Sequence, residues 1–135
     1  MTLADTSVMV AAFASWHESH EAADEALGED ETLIAHCALE TFSTLTRMPA
    51  PGRAPPQLVL DFLRSRFEGP YLTLSPAGHE SLMGSLSSAG ISGGAAYDAL
   101  VAATAAEAGA DLVSCDRRAL PTYEAFGIDV RLLGP

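Results

Sequence analysis

The chain has 135 residues, of which 48% are hydrophobic and 19% charged, and its 7 basic and 18 acidic side chains give a formal net charge of −11. Its hydrophobic content is that of a globular protein, and its length suits one domain spanning residues 1–135. The acidic balance excludes a uniformly basic nucleic-acid binder, although it allows a local basic patch. All the basic residues are arginine, which excludes a phosphate-binding P-loop and a lysine Schiff base.

The cysteine content and the hydrophobic runs indicate the cellular compartment. Cys37 and Cys115 are too few to predict a disulfide framework, and their spacing does not predict a zinc site. The N-terminus does not have the pattern of a signal peptide, and no apolar run reaches the roughly 18 residues of a membrane span. We therefore expect a soluble, cytoplasmic protein in a reducing environment.

Short apolar segments alternate with helical patterns along the whole chain. This alternation predicts an α/β fold with a mostly parallel sheet. Trp16, exposed or half-buried near a helix junction, is expected to contribute packing more than base stacking. In chain order we predict strand 2–4, a helix through 8–13, helix 17–28, strand 32–35, helices 37–47 and 56–67, strand 71–74, a helix ending near 88, helix 94–109, strand 112–114, helix 117–126 and strand 128–132.

Four carboxylates are expected near one edge of this sheet. Asp5 and Asp116 directly follow predicted strands, whereas Glu40 and Asp98 lie early in helices. Ligand sites in open α/β sheets lie beyond the carboxyl ends of the strands. Four acids in one pocket would repel one another strongly unless a cation lay among them, and hard divalent cations prefer carboxylate oxygen. Taken singly, Asp5 is also explained as a helix cap, Glu40 as a surface acid, Asp98 as a helix-dipole acid and Asp116 as a turn residue.

Three segments of the chain carry a family resemblance. They are Asp5-Thr6-Ser7, the run Gly93-Gly94-Ala95-Ala96-Tyr97-Asp98, and Ser114-Cys115-Asp116-Arg117-Arg118-Ala119-Leu120-Pro121. With Glu40 between them, these segments resemble the PIN-domain nucleases, and most of all the VapC toxins of bacterial toxin–antitoxin pairs. The resemblance covers essentially the whole chain and implies a PIN-like three-layer α/β/α sandwich with a short, mostly parallel central sheet.

The resemblance also implies a site, an activity and partners. The metal-binding and catalytic acids would be Asp5, Glu40, Asp98 and Asp116, holding Mg²⁺ or Mn²⁺. Supporting hydroxyls would come from Thr6 and Ser114. The implied activity is endoribonuclease attack on RNA phosphodiesters by a metal-activated water. The implied partners are a cognate antitoxin, which would link the protein indirectly to DNA, and a second copy in a homodimer.

Arginines near the acids are candidates for contacting the substrate. Arg117 and Arg118 follow Asp116 directly, so either is expected to contact an RNA phosphate or to form a surface salt bridge. Arg47 and Arg53 are further candidates for phosphate contacts.

Two other functions remain open. One is a catalytically degenerate PIN domain that serves only as a binding module. The other is a metal-dependent phosphohydrolase for a small phosphate ester, which is disfavoured because Ser7 stands where a haloacid-dehalogenase-like enzyme would need a second aspartate.

Overall fold

A parallel sheet of three strands lies at the centre of the computed structural model, which describes residues 1–28 and 32–135. The sheet has the order β1-β2-β3, and its register places Leu3 opposite Leu112 and Leu112 opposite Val130. The elements are β1 (Thr2–Ala4), α1 (Thr6–Phe13), α2 (His20–Ala26), α3 (Ala35–Arg47), α4 (Pro56–Arg66), α5 (Pro76–Ala89), α6 (Ala95–Glu107), β2 (Asp111–Ser114), α7 (Leu120–Ala125) and β3 (Val130–Leu132).

Helices cover both faces of the central strand. Leu112 and Val113 are adjacent and therefore point to opposite faces of the sheet, yet both are buried. Helices α1 and α6 both pack against β2. Buried alanines on α6, such as Ala99, Ala102 and Ala105, let that helix approach its neighbours closely. The predicted α/β class with a parallel sheet is thus confirmed.

The predicted strands 32–35 and 71–74 are wrong as strands. These segments meet in one isolated parallel bridge between Ile34 and Leu72, with two backbone hydrogen bonds of 2.9 Å. Helix α3 begins at Ala35 and α5 begins at Pro76, so the helices leave little extended chain for pairing. Leu33 and Ile34 are nevertheless fully buried. The apolar run therefore predicted burial correctly, but the strand pairing that it also suggested is limited to one bridge.

Two predicted helices begin later than expected because turns replace their first residues. Helix α2 begins at His20 instead of 17, since the Ser19 amide donates to Nδ1 of His17 and stabilises a turn. Helix α7 begins at Leu120 instead of 117, because the carboxylate of Asp116 accepts the Arg118 amide at 2.9 Å. In the described part of the chain, no helix has the length and hydropathy needed to cross a membrane.

Candidate active site

All four predicted acids line one cleft, which we call the acid cleft. It has a volume of about 630 Å³. Asp5 follows β1 and Asp116 follows β2, and these strands are parallel neighbours whose carboxyl ends lie side by side. Glu40 reaches the cleft from α3 and Asp98 from the first turn of α6. Sequence reasoning therefore identified residues that the fold does bring together.

Asp5 is the most enclosed of the four acids, with only 3% of its surface exposed. Its Oδ1 accepts from the Ser7 hydroxyl at 2.5 Å and from the Val8 amide at 3.3 Å, so Asp5 is also the N-cap of α1. Its Oδ2 accepts from the hydroxyls of Ser114 at 2.6 Å and Tyr123 at 2.8 Å. Burial raises the pKa of the Asp5 carboxyl, and these hydrogen bonds oppose the rise.

The hydroxyls around Asp5 form a network that joins the ends of β1 and β2. Ser7 Oγ accepts the Cys115 amide at 2.8 Å, and Ser114 Oγ accepts the Asp116 amide at 3.0 Å. From the first turn of α1, the hydroxyl that contacts Asp5 is therefore that of Ser7. The Thr6 hydroxyl is buried on the Glu40 side of the cleft, where it helps His36 to lower the pKa of the Glu40 carboxyl.

Tyr123 is a site residue that the sequence analysis missed. It is buried, and burial together with the nearby Asp5 carboxylate raises the pKa of its phenol. The phenol therefore stays protonated at neutral pH and donates to Asp5. Tyr123 lies 118 positions from Asp5 in the sequence, so no local pattern predicts the contact.

Glu40 lies beside a histidine on its own helix. Nε2 of His36 lies 3.6 Å from Oε2 of Glu40, and the imidazole lowers the pKa of the Glu40 carboxyl. The His36 ring stacks on Tyr97, with 5.3 Å between ring centroids and 3° between ring planes. Because Tyr97 precedes Asp98 on α6, this stack joins the two helices that carry Glu40 and Asp98.

Asp98 and Asp116 are the other two predicted acids of the cleft, and Glu18, which was not predicted to belong to the site, lines it as well. Burial raises the pKa of Asp98; Arg118 opposes the rise, and the charges of Asp116, Glu40 and Asp5 add to it. Asp116 forms an ion pair with Arg118, with 3.2 Å between Oδ2 and the guanidinium Nη2. Arg118 lines the cleft, whereas Arg117 is exposed and is not among the lining residues.

The donor set matches a hard divalent cation, but the acids are turned toward protein partners. Asp5 accepts from hydroxyls, Glu40 faces His36 and Asp116 faces Arg118. Across residues 1–28 and 32–135, no group of three or more His, Cys, Asp or Glu side chains is arranged to hold a metal ion. Glu40 and Asp116 keep 42% and 28% of their side chains exposed, so both can rotate toward a shared ion. The residues present therefore fit such a cation after reorientation.

Comparisons with known proteins define the class. Residues 2–124 match the PIN domain family. The structure is similar to that of a chain in the crystal structure of FitAcB from Neisseria gonorrhoeae, with a TM-score of 0.69. The match covers 96% of this chain and 96% of that chain at 20% sequence identity, so it supports the fold alone. The chain therefore belongs to the PIN-domain family.

The relatives carry the VapC name. The chain is 47% identical to Ribonuclease VapC40 of Mycobacterium tuberculosis over 133 residues, covering 98% of this chain and 99% of the relative. It is 41% identical to Ribonuclease VapC27 of the same species over 127 residues, covering 93% of this chain and 92% of the relative. These matches confirm the resemblance to a VapC-type PIN protein that the sequence motifs suggested.

Proposed function

We propose that this protein is a metal-dependent endoribonuclease that acts as the toxin of a toxin–antitoxin pair and hydrolyses RNA phosphodiesters with an activated water. The observation that carries the proposal is the convergence of Asp5, Glu40, Asp98 and Asp116 on one cleft at the carboxyl edge of the sheet. The relatives named ribonucleases support the reaction class. We extend to this chain the family's pairing with an antitoxin, its homodimer, its single domain and its cytoplasmic location.

The four acids would hold Mg²⁺ or Mn²⁺, which when bound supplies a lowered water pKa and neutralises charge on the phosphate. The protein's own part is to position these acids and keep them charged. Ser114 and Tyr123 fix the Asp5 carboxylate, and His36 lowers the pKa of Glu40. The raised pKa of Asp98 indicates that its charge is costly among the other carboxylates of the cleft, as expected of a group that pairs with a cation.

Water is the nucleophile that the surrounding side chains favour. The hydroxyls of Ser7 and Ser114 both donate hydrogen bonds to Asp5, which keeps them oriented toward the carboxylate. Burial raises the pKa of both the Cys37 and the Cys115 thiols, so neither is a thiolate at neutral pH. A covalent intermediate on a side chain is therefore not part of the proposal.

The test compares two substitutions that each remove one negative charge. Asp98→Asn keeps the shape of the side chain but loses a cation ligand, so we expect RNA cleavage with Mn²⁺ to fall by about 10²–10³-fold. Glu80→Gln on the exposed surface of α5 is the matched control and should cleave like the wild type. Asp5→Asn should also lower cleavage, but it is the less selective variant, because its amide NH2 would face the donor hydroxyls of Ser114 and Tyr123. Wild-type cleavage by Asp98→Asn would contradict the proposal.

A binding module without catalysis is the second candidate. It is favoured by the observation that Asp5, Glu40 and Asp116 already contact protein partners, and that no metal-binding group is formed within the described residues. Titration with Mn²⁺ separates the two functions, because a binding module would show neither a saturable metal-dependent change nor cleavage. Saturable binding that Asp98→Asn weakens would support the nuclease.

A further inference from the structure

A second concave surface lies beside the acid cleft, and we call it the Trp16 groove. It is lined by Trp16, Met48, Pro49, Pro51 and Gly52 and has a volume of about 520 Å³, within the range of small-molecule sites. Trp16 is 64% exposed. The edge of its indole contacts the turn at Gly52, where an added Cβ would lie 3.5 Å from Cζ2. Its ring centroid lies 6.3 Å from that of His17, and most of this large aromatic side chain is open to solvent.

The groove continues the acid cleft along both of its walls. On one wall, His17 lines the cleft and follows Trp16 directly. On the other wall, Glu40 and Thr44 line the cleft from α3, and Met48, four residues further, lines the groove. Residues four apart lie on the same face of a helix, about 6 Å apart along its axis. A chain bound across the acids would therefore enter the groove within one further turn of α3.

Positive charge flanks the groove on a protein whose net charge is −11. Arg53 is exposed, and its Nε donates to the carbonyl of Met48 at 2.9 Å, which holds the guanidinium against the groove wall. Arg47 is exposed in the last turn of α3, one residue before Met48, and its Nη1 donates to Oγ of Ser43 at 2.6 Å. Phosphates and guanidinium groups are complementary, and single-stranded nucleic acids combine such contacts with stacking of bases on aromatic rings.

We propose that the Trp16 groove binds one unpaired RNA base, stacked on the indole of Trp16, while Arg47 and Arg53 contact the adjoining phosphates. The inference rests on the proposed ribonuclease function and names a substrate subsite outside the acid cleft. The charge of the rim and the continuity with the cleft favour RNA over an apolar segment of a protein partner. Trp16 is then a positioning residue that contributes affinity for longer substrates and does not take part in the cleavage step.

The first experiment measures cleavage with Mn²⁺ of a ten-nucleotide single-stranded RNA. Trp16→Leu removes the aromatic face, and we expect it to raise KM by about 5- to 150-fold, the contribution of stacking one base, while kcat stays within about twofold. Trp16→Tyr keeps an aromatic ring and should restore most of the affinity. Tyr71→Leu is the matched control, because Tyr71 is also an exposed aromatic residue but lines neither the groove nor the cleft. Melting curves establish that each variant is folded.

The second experiment uses Trp16 as its own reporter, because it is the single tryptophan of the chain. The same RNA is titrated in EDTA at low ionic strength while the tryptophan emission is recorded. Stacking should quench the emission, and a series of RNAs with one abasic position each should show one position whose loss removes the quenching. That position identifies the base in the groove.

The outcomes separate the subsite from the proposed function. If the wild type cleaves RNA and Trp16→Leu cleaves it with an unchanged KM, the base subsite is wrong and the nuclease stands. If, in addition, Trp16→Leu weakens copurification of the antitoxin, the groove is a protein-docking surface and the inference is also overturned. If the wild type does not cleave RNA with Mn²⁺ at all, the proposed function itself fails.

Discussion

The Asp5 carboxylate caps a helix and joins two strands at the same time. Its Oδ1 accepts the amide of Val8 in α1, and its Oδ2 accepts from Ser114 at the end of β2. The sequence presented the helix cap and the metal ligand as alternatives, but one carboxylate has enough lone pairs for capping, support and a further bond. Asp5 was predictable because it directly follows a strand. Ser7 and Tyr123 were not singled out because their contacts depend on the completed fold.

Arg118 is the arginine that we expect to contact RNA near the acids. Its side chain is 84% exposed, it lines the cleft, and it pairs with Asp116 at 3.2 Å. When Asp116 turns toward a cation, the guanidinium becomes available to a phosphate. Arg118→Gln should therefore lower the slope of log affinity against log salt concentration by about 0.7 for single-stranded RNA. Arg117→Gln is the neighbouring control and should leave the slope unchanged; the reverse result would place the RNA path on the Arg117 side.

At the scale of elements, α3 links the acid cleft to the Trp16 groove. One face of this helix carries Glu40 and Thr44 into the cleft, and its C-cap residue Met48 lines the groove. Helical spacing in the sequence predicted α3 to within two residues at its start and at Arg47 for its end. The preceding segment was mistaken for a strand, because a buried apolar run looks the same whether or not it finds a pairing partner.

The junction between α5 and α6 has no room for an added methyl group at Gly78. Ser75 caps α5 by accepting the Gly78 amide, and Ser75 donates to Glu107 at the end of α6. A Cβ on Gly78 would lie 2.6 Å from Oε2 of Glu107 and 2.7 Å from Cδ1 of Leu74, a residue that is 6% exposed. We expect the overpacking to cost about 1–3 kcal/mol. This cost exceeds the gain of about 0.5–1 kcal/mol that alanine brings to a helix, so Gly78→Ala should lower the free energy of unfolding measured by urea denaturation.

Gly84 provides the matched control on the same helix. Nothing lies within 4 Å of a Cβ built at Gly84, and the position is exposed. Gly84→Ala should therefore raise the free energy of unfolding by about 0.5–1 kcal/mol, because alanine loses less backbone entropy than glycine in a helix. Equal effects of the two substitutions would mean that the packing of Leu74 and Glu107 at the helix junction adjusts without cost.

At the scale of the whole molecule, the fold concentrates like charge in one place. The chain carries 18 acidic residues, and the fold brings five of them, from segments up to 111 positions apart, to one cleft: the four predicted acids and Glu18. The motifs around Asp5, Asp98 and Asp116 allowed the α/β class, the family and these acids to be predicted. The rotamers of Glu40 and Asp116 could not be predicted, because they depend on contacts with His36 and Arg118 that only the folded chain defines.

This concentration of charge should make the metal-free protein less stable at neutral pH than it would be if the carboxyl groups of the cleft were uncharged. The pKa of Asp98 is raised in the folded state, so the ionised carboxylate destabilises the native chain above that pKa. The penalty shrinks as the pH falls through the raised pKa, and it is gone below the ordinary aspartate value. In EDTA, Asp98→Asn should therefore melt at the same temperature as the wild type or higher at neutral pH, and this advantage should vanish in acid.

A cation that binds only the folded state reverses the comparison. Mn²⁺ at a hundredfold excess over its Kd should stabilise the wild type by about 2.7 kcal/mol, whereas Asp98→Asn should lose most of that gain because it lacks one ligand. The measurement is a melting curve for each protein in EDTA and in Mn²⁺ at fixed ionic strength, with Glu80→Gln as the control for removing a remote charge. Screened surface acids contribute little at a distance, so the control should follow the wild type in both conditions. An equal Mn²⁺ shift in the wild type and in Asp98→Asn would remove Asp98 from the shared site. No shift in the wild type would favour the binding module over the nuclease.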